Sequence, residues 1–309
     1  MPHDCISKCL EFHALTLADR EAVQAVTLDA GLRNCNFNFS NLFGWQPEFG
    51  TEVAFCEGHV VLRYRLGSEL NYLIASKETP CRNLLERMVN DATAQGATLA
   101  VRCLEDDRAA AIVDLFPGRA TATPQRNSYD YIYLRTELAN LAGKSLKNKR
   151  NHVNKFLSEH PAFEYRELSP ALFPQCLELV RLWQSETPHD NPDYGDTIAA
   201  EERVMQRIFD HWGSLDAIGG AIFDAGRMLA FTYGAPVTHD TFDVCVEKAD
   251  RFVDGAFSVI NQQFAAHLPE QYVYLNREED MGLPGLRKAK LSYHPEILLS
   301  YNSVTINPL

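Results

Sequence analysis

Residues 276–295 read Asn-Arg-Glu-Glu-Asp-Met-Gly-Leu-Pro-Gly-Leu-Arg-Lys-Ala-Lys-Leu-Ser-Tyr-His-Pro, so carboxylates, cations and a phenol share one short polar segment. Asn276, Glu278 and Asp280 have the groups to hold an ammonium. Asp280 could instead cap a turn in which Gly282 adopts a positive φ. Pro284 suits the first turn of a helix, on which Arg287 and Lys290 lie three apart on one side and could clamp a phosphate or a carboxylate, while Lys288 points elsewhere. Tyr293 could give a proton to a leaving group, or pack in a core with only its tip exposed. Upstream, alternation along Thr241–Glu247 sets Phe242, Val244 and Val246 on one face and Asp243, Cys245 and Glu247 on the other. A carboxylate at the end of that strand, Glu247, is a candidate general base for an attacking amine. Its alternative is an ion pair with Lys248 or Arg251 at the sheet rim.

These groups need a scaffold, and the apolar runs supply it. Tyr272–Leu275 precedes the polar segment and Ile297–Tyr301 follows it, which predicts a strand-to-helix turn at one end of a sheet, where α/β proteins place ligands. The second half predicts a strand at Phe163–Leu168, helices at Ala171–Glu186 and Ala200–His211, and a polar loop Thr187–Gly195 between them. Strands at Asp216–Phe223, Arg227–Pro236 and Thr241–Glu247 follow. A helix at Gly255–His267, a strand at Gln271–Leu275, a short helix after Pro284 and a strand at Glu296–Tyr301 complete it. The first half repeats the order: a helix at Leu17–Leu32, strands at Val53–Cys56, His59–Leu66 and Leu70–Ala75, and a helix at Arg82–Gln95. Strand Ala97–Cys103, helix Asp107–Phe116 and strand Tyr129–Leu134 end that half.

This order resembles the GNAT acyltransferase fold twice over. The expected class is α/β (α+β): two tandem GNAT-like units with mixed sheets, 1–137 and 159–309, the second carrying the site, joined by a basic helix over 138–158. In that joint Lys144, Lys147, Lys149, Arg150 and Lys155 occur with no acid between them. Helical spacing gathers Lys144, Lys147, Asn151 and Lys155 on one face, with Leu146, Val153 and Leu157 opposite. The stripe is either a solvated connector or, in a chain of net charge −12, a contact for tRNA or another phosphate-bearing donor made by Lys144, Lys147, Arg150 and Lys155.

Asp130-Tyr-Ile-Tyr133, the segment Leu138–Phe156 and the segment Asn276–Pro295 together are similar to the DUF2156 family, related to the C-terminal catalytic domain of phosphatidylglycerol lysyltransferases. Phe39-Ser-Asn-Leu-Phe-Gly-Trp45 matches its N-terminal aromatic segment. The resemblance implies a tandem GNAT fold like that of the Fem aminoacyltransferases, which move an aminoacyl group from aminoacyl-tRNA to an acceptor by direct attack on the carbonyl. It differs from the lipid enzymes in lacking an apolar run long enough to span a bilayer, which turns the expected acceptor towards a soluble molecule or a protein. GNAT enzymes hold the coenzyme A pyrophosphate on a glycine-rich loop at a helix N-terminus. Here Arg251, Gly255 and Ala256 fit that loop in part, while Asp254 replaces its first glycine. An acyl-CoA-dependent N-acetyltransferase is therefore the alternative enzyme, and a non-catalytic module binding a small molecule or peptide is the alternative outside catalysis. In the first half Lys77–Arg82 has no glycine and is expected to bind no cofactor.

Composition narrows the rest. The 309 residues are 46% hydrophobic and 23% charged, an ordinary globular balance, and no signal-peptide pattern is evident at the N-terminus, so a cytoplasmic location is the expectation. Eight cysteines occur without a CxxC spacing, so free thiols are expected. Cys5, Cys9, His3 and His13 have metal-ligand types but an accidental-looking spacing. His152 reads as a polar neighbour on the basic helix. Phe39, Phe43 and Trp45 line either an acceptor groove or a core. No Ser-His-Asp signature, phosphate-binding P-loop or His-x-x-x-His pair is present, which leaves the common hydrolase and nucleotide-triphosphatase classes with little support.

Overall fold

Alternating apolar strands and amphipathic helices assemble, in the computed structural model, into two units, each with a seven-stranded mixed sheet. The structure describes residues 9–185 and 192–309. The first unit comprises the N-terminal segment to Leu32, Trp45–Tyr129 and Leu299–Leu309. The second comprises Arg33–Gly44 and Asp130–Leu298.

In the first unit, β1 (His13–Ala14), β2 (Glu52–Cys56), β3 (His59–Leu66) and β4 (Glu69–Ala75) run antiparallel, and β5 (Leu99–Leu104) pairs parallel with β4. Around the sheet lie α1 (Arg20–Thr27), α3 (Arg82–Ala94) and α4 (Asp106–Leu115), while α2 (Phe39–Phe49) carries the chain from one unit into the other. A further strand, β6 (Ala120–Pro124), was not evident from its Ala-Thr-Ala-Thr-Pro pattern. Tyr72, Leu85, Met88, Val101, Ile112 and Phe116 form the core of this unit.

The second unit opens with β7 (Asp130–Leu134), α5 (Arg135–Asn140) and α6 (Lys147–Glu159), followed by β8 (Glu164–Glu167), α7 (Phe173–Ser185) and α8 (Pro192–Asp210). Then come β9 (Ile218–Asp224), β10 (Arg227–Pro236), β11 (Thr241–Ala249), α9 (Ala256–His267), β12 (Tyr274–Asn276), α10 (Pro284–Leu291) and β13 (Ile297–Leu299). The sheet order is β13-β7-β12-β11-β10-β9-β8, with β11 and β12 parallel. The last strand, β14 (Asn302–Ile306), pairs with β5 and β6 in the first sheet. Two strands thus sit differently from the order read along the chain. The run around Tyr129–Leu134 pairs with β12, and the run Glu296–Tyr301 keeps only β13, with the unexpected β14 beginning after it at Asn302. Alternation marks a strand but not its neighbour, and Asp130–Tyr133 is buried because β12 and β13 flank it.

One irregularity governs the site. Between the pairs Tyr233↔Val246 and Ala235↔Asp243 the register shifts, so Gly234 alone opposes Val244 and Cys245. This is a β-bulge, which reverses side-chain alternation beyond it. Asp243 meets Asn38 and Asn41, whereas Glu247 meets Asn261 on α9. The expectation that Asp243, Cys245 and Glu247 share a face is corrected accordingly. A Cβ on Gly234 would stand 1.7 Å from the Asp243 carbonyl oxygen, backbone that cannot swing away. Gly234→Ala is expected to cost about 3 kcal/mol or more, above the usual penalty of overpacking, and to shift the Asp243 amide resonance strongly. Urea unfolding and amide NMR check this together.

Candidate functional site

Beyond the bulge the two parallel strands separate: their pairing runs from Thr241↔Tyr274 to Asp243↔Asn276, while β11 continues to Ala249. Polar side chains gather at this opening, on both faces of the sheet. On the face towards α2, four carboxylates (Asp130, Asp243, Glu278 and Glu279) and two thiols (Cys35 and Cys245) form two triads. Cys35, Asp130 and Glu279 make one and Asp243, Cys245 and Glu278 the other, and within each the ligand-type atoms lie within 4.8 Å of one another.

Amides orient these acids. Asn41 Nδ2 donates to Asp243 Oδ2 at 3.0 Å and to Glu278 Oε1 at 2.9 Å, and Asn38 Nδ2 donates to Asp243 Oδ2 at 3.0 Å and to Cys245 Sγ at 3.2 Å. On the other triad, the Cys35 backbone N–H and Asn276 Nδ2 donate to Asp130 Oδ2 at 2.9 and 2.8 Å. Asp243 is wholly buried, and its second oxygen, Oδ1, has no hydrogen-bond partner. Burial pushes the Asp243 carboxyl well above the ordinary range; the Asn38 hydrogen bond opposes this, and the charges of Asp130 and Glu279 add to it. Glu278 is raised by burial and then by Asp243, and Glu279 by burial and then by Asp130. Burial likewise raises both thiols, which keeps them protonated.

The backbone that presents Glu278 is unusual. Its φ is +56°, a conformation disfavoured by roughly 1–2 kcal/mol for a residue with a Cβ. Lys290 holds it there: its buried Nζ donates to the carbonyls of Arg277, Glu278 and Glu279 at 2.5, 3.0 and 2.5 Å. Burial lowers the Lys290 pKa, against the pull of Glu278 and Glu279. Arg287 instead donates from Nε and Nη2 to Asp280, both at 2.8 Å. Arg287 and Lys290 therefore do not converge on one ligand, since Asp280 and the turn's carbonyls take them separately. Asp280 is buried, accepts from Tyr131 Oη at 2.6 Å and from Gly282 N at 2.9 Å, and so caps the turn. Asn276 Oδ1 accepts from Glu278 N at 2.7 Å, and its Nδ2 also donates to the Arg33 carbonyl.

The opposite face carries a second set. Arg277 Nη2 donates to Glu247 Oε1 at 2.8 Å, and Asn261 Nδ2 donates to Glu247 Oε2 at 3.2 Å. Glu247 thus pairs with Arg277 rather than with Lys248, which reaches Glu201 at 2.8 Å. Tyr293 is buried with its hydroxyl 3.4 Å from Ser258 Oγ, and Lys149 Nζ lies 3.9 Å from the centre of its ring. Burial and the charge of Arg277 lower the Lys149 pKa, with Glu247 opposing. Arg277 Nη1 and Asn261 Oδ1 are buried without partners.

On the loop from β11 to α9, Gly255 has φ +85°, and a Cβ there would lie 2.5 Å from the carbonyl oxygen of His152 on α6. Helix α6 packs its backbone against the glycine on which a pyrophosphate would rest. Ala256 is buried behind it, while Arg251 is exposed. Along α6, Leu146, Val153 and Phe156 face the core. Leu157, expected on the apolar side, is 39% exposed, because Phe156 takes that place. Lys144 and Lys147 are exposed, Arg150 donates to the Leu141 carbonyl, and Lys155 pairs with Asp254. Phe39 and Phe43 are buried and stacked on each other, which makes them core, and Trp45 stacks on Phe49. Cys9 is exposed and His13 bonds Asp19, whereas His3, Cys5 and residues 187–191 lie outside the described residues.

Sequence reasoning missed Cys35, Asn38, Asn41, Asp130, Glu279, Asn261 and Arg277. Asn41, Asp130, Arg277 and Glu279 stood inside quoted motifs, but nothing in spacing brings residues 35–41 to residues 243–279. Among the described residues no helix is long and apolar enough to cross a membrane.

The comparisons agree with this architecture. The solved structure of a protein of unknown function from Bacteroides thetaiotaomicron VPI-5482 is 36% identical, covers 96% of this chain and all of that one, and superposes with a TM-score of 0.91. L-PGS from Bacillus licheniformis shares 12% identity over 94% of this chain and 92% of its own, with a TM-score of 0.64. The two sheets are those of tandem GNAT proteins. An uncharacterized protein of Mycoplasmoides gallisepticum is 22% identical over 173 residues, 56% of this chain, and the match spans about half (54%) of that protein. The family model for the C-terminal domain of phosphatidylglycerol lysyltransferase matches residues 30–302. The chain belongs to that family, within the acyltransferase superfamily.

Proposed function

We propose that this protein transfers an aminoacyl group from aminoacyl-tRNA to a soluble or protein acceptor, with the ammonium of the aminoacyl group held by Asp243 and Glu278. The observation that carries this reading is the buried carboxylate cluster, whose Asp243 Oδ1 has no partner while amides hold the neighbouring oxygens. A buried acid left this way is costly unless a cation meets it. The family's named cargo, a lysyl group, has two ammonium groups, and the second unit has two triads.

In the reaction the acceptor's nucleophile bonds to the ester carbonyl carbon and the ester C–O bond breaks. The proton that the nucleophile loses passes to the leaving ribose oxygen, which departs as a hydroxyl. The packing of α6 against Gly255 supports tRNA over acyl-CoA as donor, and the exposed Lys147 at the start of that helix, with the exposed Lys144 in the turn before it, supports a polyanion there. With Glu247 tied to Arg277 and Asn261, its use as a base requires that ion pair to open.

Filter binding of lysyl-tRNA and of uncharged tRNA tests the reading. Wild-type protein should bind both with an affinity that falls steeply with salt, and Lys147→Glu with Lys155→Glu should weaken both at least tenfold at low salt. The charged form should bind more tightly, and only that difference should vanish in Asp243→Asn. Salt-insensitive binding, or equal binding of the two forms, would sink the proposal. Phosphatidylglycerol vesicles and protein acceptors in parallel transfer assays separate a lipid acceptor from the soluble or protein class.

A further inference from the structure

We propose that Phe252 is a stacking platform for an unpaired base of the RNA, the single-stranded 3′ end of the tRNA; this deepens the donor reading above and rests on it. Phe252 is 80% exposed, far above the 43% and 40% of the other exposed phenylalanines among the described residues, Phe55 and Phe257. Its exposure is built into the loop. Asp250, buried beneath, ion-pairs with Arg227 at 2.6 Å, its N–H donates to the Leu229 carbonyl, and its Oδ1 accepts the Phe252 N–H at 2.9 Å. On the other side Val253 N–H donates to the Asp250 carbonyl, and the Val253 side chain packs on the core. With Asp250 and Val253 fixed on either side and its own N–H held by Asp250, Phe252 keeps its ring out in solvent.

Its surroundings suit RNA. Helix α6 runs beside this loop, with His152 and Phe156 against Gly255 and Lys155 paired to Asp254. The exposed Lys147 stands on the same helix, five residues before His152, roughly 7–8 Å along the axis. Lys155 is also paired with Glu159, so the cation offered to the backbone is Lys147; an exposed aromatic face together with a cation is how sequence-tolerant proteins grip single strands, because every base has a face to stack.

The test uses two fluorescein-labelled acceptor-stem hairpins, one ending in a single-stranded 3′ ACCA and one blunt. Phe252→Ala should weaken the tailed hairpin about tenfold and leave the blunt one unchanged. Phe252→Trp should keep the affinity, and its added emission, above that of the three native tryptophans, should be quenched by the tailed hairpin alone. Matching thermal melts show that the variants fold. Equal losses on both hairpins, no loss on either, or a Phe252→Trp emission blind to the tail would overturn the stacking role and leave the donor reading standing. A wild-type protein that binds neither hairpin overturns both.

Discussion

Asp243→Asn should make the unliganded protein more stable above neutral pH while erasing its preference for charged tRNA. The asparagine is nearly isosteric. Its carbonyl oxygen can accept the Asn38 and Asn41 hydrogen bonds, and its Nδ2 then stands where the orphan Oδ1 was. The sign follows from linkage. Burial raises the folded-state pKa of Asp243 above its unfolded value, and Glu278 and Glu279 are raised as well. Their contribution is therefore fully present below the ordinary carboxylate range, around pH 4, and is lost as pH rises through the raised folded values. Each proton involved gives a slope of at most about 1.4 kcal/mol per pH unit. Removing one acid should flatten the decline, and each kcal/mol recovered adds about 2–4 °C to the melting temperature. Thermal melts of wild type, Asp243→Asn and Glu278→Gln from pH 4 to pH 9 measure it. Parallel curves for all three would mean that the cluster stores no electrostatic strain. The trade is typical of binding sites, where a group is kept unhappy until its ligand arrives.

Arg277→Met should destabilise the protein by about 3–5 kcal/mol, the largest loss expected from a single side chain of the site. Glu247 and Arg277 are each only 13% exposed, so deleting the guanidinium leaves a buried carboxylate facing the Asn261 amide alone. Pairing this variant with Glu247→Gln should recover most of the loss, since two neutral side chains of similar length leave no unpaired charge. Urea unfolding of the four proteins in the cycle gives the coupling directly. A double variant as unstable as the sum of the singles would show that Arg277 acts through packing on Tyr133 and Tyr293. Glu247→Gln alone should cost less than Arg277→Met, because the amide can still accept from Asn261 while Arg277 keeps the nearby ring faces.

Much of this was legible along the chain. Periodicity located most of the helices and strands, since burial of one face imposes a period of 3.6 or 2 on any sequence. The polar run from Asn276 marked the turn after β12, and the basic run marked α6 with its apolar anchors Leu146 and Val153. Those features are local, fixed by residues within a turn or two of one another. The roles of single side chains were not local. Asp280 and Lys290 looked like ligand groups, yet Tyr131, Arg287 and three turn carbonyls use up their bonding capacity.

The sequence by itself determined that acids and cations would collect in a polar strand-to-helix turn after Leu275, and that a basic run would stand apart from them in the chain. Only the tertiary structure decided which acids meet. A one-residue bulge opposite Gly234 sends Asp243 and Glu247 to different faces, and Arg33–Gly44 brings Asn38 and Asn41 across some 200 residues to orient the carboxylates. A bulge depends on what the partner strand presents, and a long-range contact on how the whole unit packs, so neither leaves a trace in the spacing of its own residues.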